Sequence, residues 1–272
     1  MTWLGLEGKV AIVTGGASGI GKAVCQSLAD EGVSLALADI NEQAGAATVN
    51  QLRRQRGANH LFVKTDVTHR ESVRALVEKT AEAFGQIDIL VNNAGINIPR
   101  LLVDPAGKEE LTDQVWDTVT AVNLKGAFLC AQAAARHMIQ SGRGGVIVNM
   151  ASESGLEGSE GQSVYAATKG AVYSLTRSWA KELGKHGIRV VGVAPGILEA
   201  TALRSEAYER ALAYTRGITV EQLRAAYQHV SIPLGRVGTL DEVANAVAFL
   251  ASDRAGYIHG TVINLSGGKS RA

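Results

Sequence analysis

Residues 9–21 read Lys-Val-Ala-Ile-Val-Thr-Gly-Gly-Ala-Ser-Gly-Ile-Gly, a short apolar run that leads into a glycine-rich turn. A helical pattern of apolar residues follows at 23–29, so the order is strand, glycine turn and helix. Glycines let the backbone turn tightly and approach a pyrophosphate, and the amides at a helix start stabilise its charge. An ordinary glycine-rich turn is the alternative. We interpret the stretch as a dinucleotide-binding unit with these candidate cofactor contacts: Gly15, Ser18, Gly19, Ile20 and Gly21.

A second buried-strand pattern, at 33–39, ends on Asp39, about twenty residues beyond the glycines. A carboxylate at this place accepts hydrogen bonds from the ribose hydroxyls of NAD and repels the 2′-phosphate of NADP. Neither Gly16 nor Ile40 supplies a basic side chain that could bind that phosphate. Asp39 could instead only cap the next helix. The sequence predicts NAD as the cofactor.

Strand and helix patterns then alternate along the chain. Strands are predicted at 60–64, 87–91, 145–150, 188–194 and 261–265, and a long helix at 112–140. Nearly continuous apolar strands are typical of a parallel sheet covered on both faces. Because no linker or repeat divides the chain, we expect one α/β domain over residues 1–272, a doubly wound parallel sheet with helices on both faces. An insertion at about 197–233, with an amphipathic piece at 203–214, is expected to form a helical substrate lid.

The composition argues against several classes of function. The chain has 272 residues, 46% of them apolar, and 27 basic against 26 acidic residues leave a net charge of +1 with no basic run suited to nucleic acid. The two cysteines lie far apart in apolar patterns and the six histidines are scattered, so we expect neither a disulfide framework nor a metal site. No secretory leader or membrane-spanning stretch is recognisable. We expect a soluble cytoplasmic protein that binds neither nucleic acid nor membrane.

Tyr165 and Lys169 stand four residues apart at the predicted start of a long helix. Side chains with this spacing lie on the same helical face. A cation close to a phenol lowers the pKa of the phenol, which would let Tyr165 exchange protons with an alcohol or a carbonyl. In most helices such a pair is only a surface contact, so the assignment depends on the other motifs.

Polar residues follow the ends of two further strands. Ser152 comes after the strand at 145–150, and a loop could bring its hydroxyl beside the phenol of Tyr165. The run Asn92-Asn93-Ala94-Gly95 follows the fourth strand, where small residues would let the chain pass close to a flat ligand, although an ordinary turn explains it equally well. Asn123 interrupts an apolar helical face, so it is a structural hydrogen-bonding residue, part of a proton path, or both.

In order and spacing these motifs resemble the short-chain dehydrogenase/reductase family over residues 6–268. The elements that match are the glycine turn at 14–21, Asp66, the run at 92–95, Asn123, Ser152, Tyr165 with Lys169, and Pro195-Gly196. The resemblance implies a Rossmann-type sheet of about seven strands in the order 3-2-1-4-5-6-7, and a homotetramer. It implies that Tyr165 is the general acid/base, that Lys169 binds ribose and lowers the pKa of Tyr165, that Ser152 orients the substrate oxygen, and that Asn123 serves a water relay.

The same resemblance implies further cofactor contacts, namely Asp66, Val67, Asn93, Ala94, Gly95, Tyr165, Lys169, Pro195, Gly196 and Leu198. One departure is that Thr201 stands further from Pro195-Gly196 than the threonine usual in the family. The contact to the nicotinamide amide is therefore the least defined of these assignments.

The stretches at 92–104, 152–162 and 188–199 resemble family members that interconvert sorbitol 6-phosphate and fructose 6-phosphate with NAD. They imply a polyol phosphate as the substrate; the alternatives are an unphosphorylated polyol or another secondary alcohol, or a redox-sensing protein without catalysis. The intact set of Ser152, Tyr165 and Lys169 favours an enzyme. Arginine can bind phosphate with two parallel hydrogen bonds, so the candidate phosphate contacts are Arg100, Arg204 and Arg216. The other candidate substrate contacts are Ser152, Glu153 and Tyr165.

Overall fold

A parallel sheet of seven strands runs through the part of the chain that the computed structural model describes, residues 3–56, 59–201, 203–228 and 232–270. The strands are β1 (Val10–Thr14), β2 (Ser34–Asp39), β3 (His60–Lys64), β4 (Ile89–Asn92), β5 (Gly145–Met150), β6 (Ile188–Pro195) and β7 (Val262–Leu265). Their order is β3-β2-β1-β4-β5-β6-β7, which confirms the predicted doubly wound sheet. The order reverses between β1 and β4, which pair directly, and ligands bind at the carboxyl ends of strands at such a point.

Helices cover both faces of the sheet. They are α1 (Gly19–Asp30), α2 (Glu42–Arg56), α3 (Arg70–Phe84), α4 (Asp113–Thr120), α5 (Ala127–Ser141), α6 (Ser154–Glu157), α7 (Ser163–Leu183), α8 (Glu206–Thr215), α9 (Val220–Gln228) and α10 (Leu240–Ala251). Buried residues of α1, α2 and α10 form one core on one face, and buried residues of α3, α5 and α7 form a second core on the other.

Alternate residues of each strand enter the two cores. In β1, Ala11 and Val13 join the first core, whereas Ile12 joins the second. Successive side chains of a strand point to opposite faces, so a strand covered on both faces must be apolar at every position. Full burial of one large aliphatic side chain stabilises the fold by roughly 1.5–3 kcal/mol. The nearly continuous apolar runs in the sequence have this physical origin.

The predicted single helix at 112–140 is wrong in one respect. A π-helical turn at Ala121–Gly126 separates α4 from α5. Within this turn the side chain of Asn123 accepts a hydrogen bond from the Ile96 N–H at 2.8 Å and donates one to the Ile96 carbonyl at 2.9 Å. These bonds anchor the widened turn to the loop after β4. A single extra residue in a turn does not disturb the 3.6-residue apolar period enough to be seen in the sequence.

The insertion at 197–233 contains two helices where the sequence predicted one amphipathic piece. Ser205 caps α8 by accepting a hydrogen bond from the Tyr208 N–H at 3.2 Å. Leu212 of α8 and Leu223 of α9 are buried together in a small separate core. Parts of the predicted lid, residues 202 and 229–231, and of the predicted domain, residues 1–2, 57–58 and 271–272, lie outside the described residues. In the described ranges, no helix has the length and apolar character needed to cross a membrane.

Candidate active site

The carboxyl ends of the strands open into a cleft of about 750 Å³. The site residues predicted from the sequence line this cleft, with the exception of Gly21, Asn123 and Arg100. Gly21 and Asn123 lie directly behind its wall, as their contacts show, whereas Arg100 is held elsewhere. The fold therefore brings the candidate cofactor and catalytic residues into one space.

Some glycines of the turn after β1 stand where a side chain would not fit. Gly15 adopts a left-handed φ of 65°, and a Cβ on Gly21 would lie 2.1 Å from the Gly15 carbonyl oxygen. Asn93 fixes the turn from the neighbouring strand, because its amide donates hydrogen bonds to the carbonyls of Thr14 (2.9 Å) and Gly15 (3.1 Å). Ser18 begins α1 without a side-chain cap, so its hydroxyl does not occupy the amides of the first turn. These features fit a pyrophosphate at the start of α1.

Asp39 stands at the end of β2 with its carboxylate held in place. One oxygen accepts a hydrogen bond from the Ala17 N–H at 3.0 Å, and the other accepts one from the Asn41 N–H at 2.9 Å. Each carboxylate oxygen can accept a further hydrogen bond. A carboxylate that is fixed beside the glycine turn fits the ribose hydroxyls of a dinucleotide.

Asp66 and Val67 line the cleft after β3. One oxygen of Asp66 accepts hydrogen bonds from the N–H and the hydroxyl of Thr68, at 2.9 and 2.7 Å. Although burial opposes the charge, these bonds and the nearby His69 hold the pKa of Asp66 below its usual value. Gly126 of the π-helical turn packs so closely on Val67 that a Cβ there would lie 2.7 Å from it. The carboxylate and this close packing keep the wall of the cleft rigid.

The side chains of Ser152, Tyr165 and Lys169 converge at the centre of the cleft. Tyr165 lies in the first turn of α7, as predicted, and it lines the cleft together with Ser152, whose hydroxyl is hydrogen-bonded to the Ser154 hydroxyl at 2.9 Å. The buried ammonium group of Lys169 lies 5.7 Å from the centre of the Tyr165 ring. This arrangement offers a hydroxyl and a phenol to one substrate oxygen, with a cation behind the phenol.

The pKa values differ from the sequence-based expectation for this pair. Burial raises the pKa of Tyr165, while the nearby Ser152 hydroxyl acts in the opposite direction. Burial also lowers the pKa of Lys169 to about 8. Desolvation of the phenol therefore outweighs the expected effect of the cation on its pKa.

Asn123 lies behind the catalytic centre and uses its side chain to hold structure. Besides its bonds to Ile96, its amide donates to the Thr168 hydroxyl at 3.2 Å. Gly95 separates it from Lys169: a Cβ on Gly95 would lie 3.4 Å from the Asn123 amide oxygen and 3.6 Å from the Lys169 nitrogen. The glycine thus keeps open the space between Asn123 and the ammonium.

The helical insertion contributes a wall of arginine and tyrosine side chains. Arg204 lies 3.9 Å above the Tyr227 ring, and its nearest carboxylate contact, Glu209, is at 3.4 Å. The buried Nε atom of Arg204 has no hydrogen-bond partner among the described residues. Within the described part of the chain, the hydrogen-bond partner of the Arg216 guanidinium is the Ser159 hydroxyl, at 3.4 Å. Both guanidinium groups therefore have donors left for a ligand in the cleft.

Arg100, by contrast, is not among the described residues that line the cleft. Its guanidinium forms an ion pair with Glu109 at 2.6 Å and donates to the Pro99 carbonyl. A partly buried pair of this kind is costly to break, because it would leave Glu109 without its counter-charge. The structure gives no support to a contact between Arg100 and the substrate.

Several cleft residues were not among the site residues predicted from the sequence. Lys269 enters the cleft from the loop after β7 and forms ion pairs with Glu153 (3.0 Å) and Glu157 (3.5 Å). Tyr208 lines the cleft and accepts a hydrogen bond from the Gln162 amide at 2.9 Å. These contacts join segments far apart in the chain, so only the fold reveals them. Across the described ranges, no group of three or more acidic, histidine or cysteine side chains could hold a metal ion.

Comparison with known proteins identifies the family. The model of the short chain dehydrogenase family matches residues 9–212. Sorbitol-6-phosphate 2-dehydrogenase of Klebsiella pneumoniae is 52% identical over 99% of both chains. A 3-oxoacyl-(acyl-carrier-protein) reductase of Thermotoga maritima is 40% identical over 97% of this chain and 98% of its own.

Solved structures agree with this assignment. Levodione reductase has a TM-score of 0.85 at 34% identity, covering 97% of this chain and 98% of its own. A 3-ketoacyl-(acyl-carrier-protein) reductase of Brucella melitensis, in complex with NADH, has a TM-score of 0.81 at 31% identity, covering 98% of this chain and all of its own. The chain belongs to the short-chain dehydrogenase family and is an oxidoreductase that uses a nicotinamide cofactor and acts on a small-molecule substrate.

Proposed function

We propose that this protein is an NAD-dependent sorbitol-6-phosphate 2-dehydrogenase, which oxidises sorbitol 6-phosphate to fructose 6-phosphate. The observation that carries the proposal is the position of Arg204, with a buried donor that lacks a partner, in the same cleft as Ser152, Tyr165 and Lys169. The 52% identity to an enzyme of that name supports it. The predicted cytoplasmic location and homotetramer remain predictions.

The preference for NAD rests on Asp39. Its fixed carboxylate would accept hydrogen bonds from the ribose hydroxyls and would repel a 2′-phosphate. The chain places Gly16 and Ile40 beside it, and neither can neutralise such a phosphate. The cofactor, when bound, accepts the hydride that the alcohol loses.

The proton is handled by residues of this chain. Tyr165, as the phenolate, would accept the hydroxyl proton of the substrate, and Ser152 would hold the same substrate oxygen by a hydrogen bond. Lys169 would stabilise the negative charge of the phenolate and bind the ribose. Asn123 would hold water in the space beside Gly95, so that the proton could leave past Lys169.

The phosphate would lie against the helical insertion. Glu209 divides its carboxylate between Arg204 and Arg224, so it does not neutralise the arginine wall. Arg204 and Arg216 would donate charge-assisted hydrogen bonds to the phosphate oxygens. The lid role proposed for this insertion follows from the same placement.

The direct test is NADH formation with sorbitol 6-phosphate beside plain sorbitol at equal concentration. The proposal expects a kcat/KM at least roughly tenfold higher for the phosphorylated substrate, since a charged hydrogen bond contributes about 1.5–3 kcal/mol. Equal efficiency with both substrates would favour the unphosphorylated-polyol alternative.

A further inference from the structure

Near Ser152 the cleft contains a cation that the proposed mechanism does not use. Lys269 lies four residues beyond β7, in a loop closed by hydrogen bonds from the Lys269 N–H to the Ser266 carbonyl (3.2 Å) and from the Ser270 N–H to the Ser266 hydroxyl (3.1 Å). The loop turns the lysine back towards the cleft, which its side chain lines.

Glu153 fixes this ammonium in place. It follows Ser152 directly, its N–H donates to the Pro195 carbonyl at 3.1 Å, and one of its carboxylate oxygens binds the Lys269 nitrogen at 3.0 Å. The other oxygen is buried without a hydrogen-bond partner among the described residues, and a Cβ on Gly196 would lie 2.8 Å from it. Lys269 therefore balances most of the charge of a carboxylate that is 9% exposed.

The ammonium keeps a donor for a ligand. Its three N–H groups meet two carboxylates, of Glu153 and Glu157, and 27% of this cleft-lining side chain remains exposed. Although burial opposes the charge, the two carboxylates raise the pKa of Lys269 above its usual value. The group is thus a charged donor over the pH range in which such an enzyme works.

The local charge decides which part of a substrate this donor meets. Two carboxylates share one ammonium, which leaves these three groups with a net negative charge that repels a phosphate. The arginine wall is the favourable place for the phosphate. With its phosphate on the arginine wall, a polyol phosphate would have its oxidised carbon near Ser152. The hydroxyl on the next carbon, on the side away from the phosphate, would then lie near Glu153.

We propose that Lys269, positioned by Glu153, is a specificity-determining residue that donates a hydrogen bond to the substrate hydroxyl on the carbon next to the one oxidised, on the side away from the phosphate. This inference rests on the proposed function and adds a residue that binds the end of the substrate opposite the phosphate. It makes the two ends of the cleft complementary to the two ends of a polyol phosphate.

The test compares sorbitol 6-phosphate with 1-deoxysorbitol 6-phosphate, which lacks only that hydroxyl. The wild type should prefer the complete substrate by roughly ten- to a hundredfold in kcat/KM, as expected for a hydrogen bond to a charged group. In Lys269→Met the two substrates should differ in kcat/KM by less than about threefold, which is less than one hydrogen bond to a charged group contributes. Glu153→Gln should lower the ratio less. Lys185→Met, an exposed lysine away from the cleft, is the matched control and should keep the wild-type ratio.

Lys269→Met alone leaves the buried carboxylate of Glu153 without its counter-charge, and this variant could fail to fold. The double variant Lys269→Met with Glu153→Gln removes both charges, and the same ratio is then measured in the double variant. A wild type that does not distinguish the two substrates overturns the inference, as does a Lys269 variant that keeps the full ratio. Equal weakening of both phosphorylated substrates would instead make Lys269 a phosphate ligand and also overturn it. Plain sorbitol and 1-deoxysorbitol are measured in parallel, so the hydroxyl ratio is obtained even if the phosphate proves irrelevant and the proposed function fails.

Discussion

The ammonium nitrogen of Lys169 donates a hydrogen bond of 2.7 Å to the carbonyl oxygen of Met150. The contact ties α7 to the last residue of β5, directly before Ala151 and Ser152. Because Lys169 is only 5% exposed, the bond also satisfies a cation that has lost most of its water. One interaction therefore fixes the catalytic helix against the strand that delivers the serine.

Burial of Lys169 should cost stability in the protein without cofactor. The difference between its ordinary pKa of 10.5 and about 8 corresponds to roughly 3 kcal/mol as an upper limit. Below pH 8 the folded and unfolded states both bind the proton and the cost is complete; between pH 8 and 10.5 the unfolded state binds more protons, so stability rises with pH.

We therefore expect Lys169→Met to increase the free energy of unfolding at pH 7 by about 1–3 kcal/mol. The gain should shrink between pH 8 and 10, because the wild-type lysine loses its proton there. Urea unfolding at several pH values measures this difference. A variant that is less stable than the wild type at pH 7 would show that the bond to Met150 outweighs desolvation.

Tyr165→Phe should remove nearly all turnover while NADH binding stays close to normal. In the proposed mechanism the phenol transfers the proton, a contribution of roughly a hundred- to ten-thousandfold in rate, whereas most of the proposed contacts to the dinucleotide come from other residues. Steady-state kinetics and NADH fluorescence titration give the two quantities. Retention of more than about a tenth of wild-type activity would require another general acid/base.

Asp39→Ala should narrow the preference for NAD over NADP. We expect the wild type to favour NAD by at least roughly tenfold, about 1.4 kcal/mol, because the carboxylate repels a 2′-phosphate. The ratio of kcat/KM for the two cofactors, with one substrate held constant, measures it. The control is Asp30→Ala, which removes an aspartate at the end of α1 that lies away from the glycine turn. A wild type equally efficient with NADP would contradict the role given to Asp39.

Much of the fold follows from local signals in the sequence. β3 and β5 begin and end where their apolar runs do, and the glycines that shape the dinucleotide turn are needed for steric reasons that the sequence already implies. Ser152 follows the carboxyl end of β5, where ligands bind in such sheets, and α7 places Tyr165 and Lys169 in the same cleft. Local patterns together with the family resemblance were therefore sufficient to predict that these three residues lie in one cleft, while their catalytic roles stay predictions.

The remainder depends on contacts between distant segments. Arg100 lies near the Asn-Asn-Ala-Gly turn in sequence, but Glu109 draws its guanidinium away from the cleft. Lys269 comes from the end of the chain and meets Glu153 only through the folded sheet. The π-helical turn around Asn123 also lacked a distinct period in the sequence. The residues that surround the substrate depend largely on such contacts. For this reason the sequence predicted the type of reaction better than it predicted the residues that line the substrate pocket.

The central claim is that Arg204 binds a substrate phosphate, and one comparison tests it most directly. The KM values for sorbitol 6-phosphate and for sorbitol are measured in the wild type, in Arg204→Ala and in Arg210→Ala, whose arginine lies on the exposed side of α8 and pairs with Glu206. We predict that Arg204→Ala raises the KM for the phosphorylated substrate by roughly ten- to a hundredfold and changes that for sorbitol by less than about threefold, whereas Arg210→Ala alters neither. Equal turnover of sorbitol and its 6-phosphate by the wild type, with no selective effect of Arg204→Ala, would contradict the account.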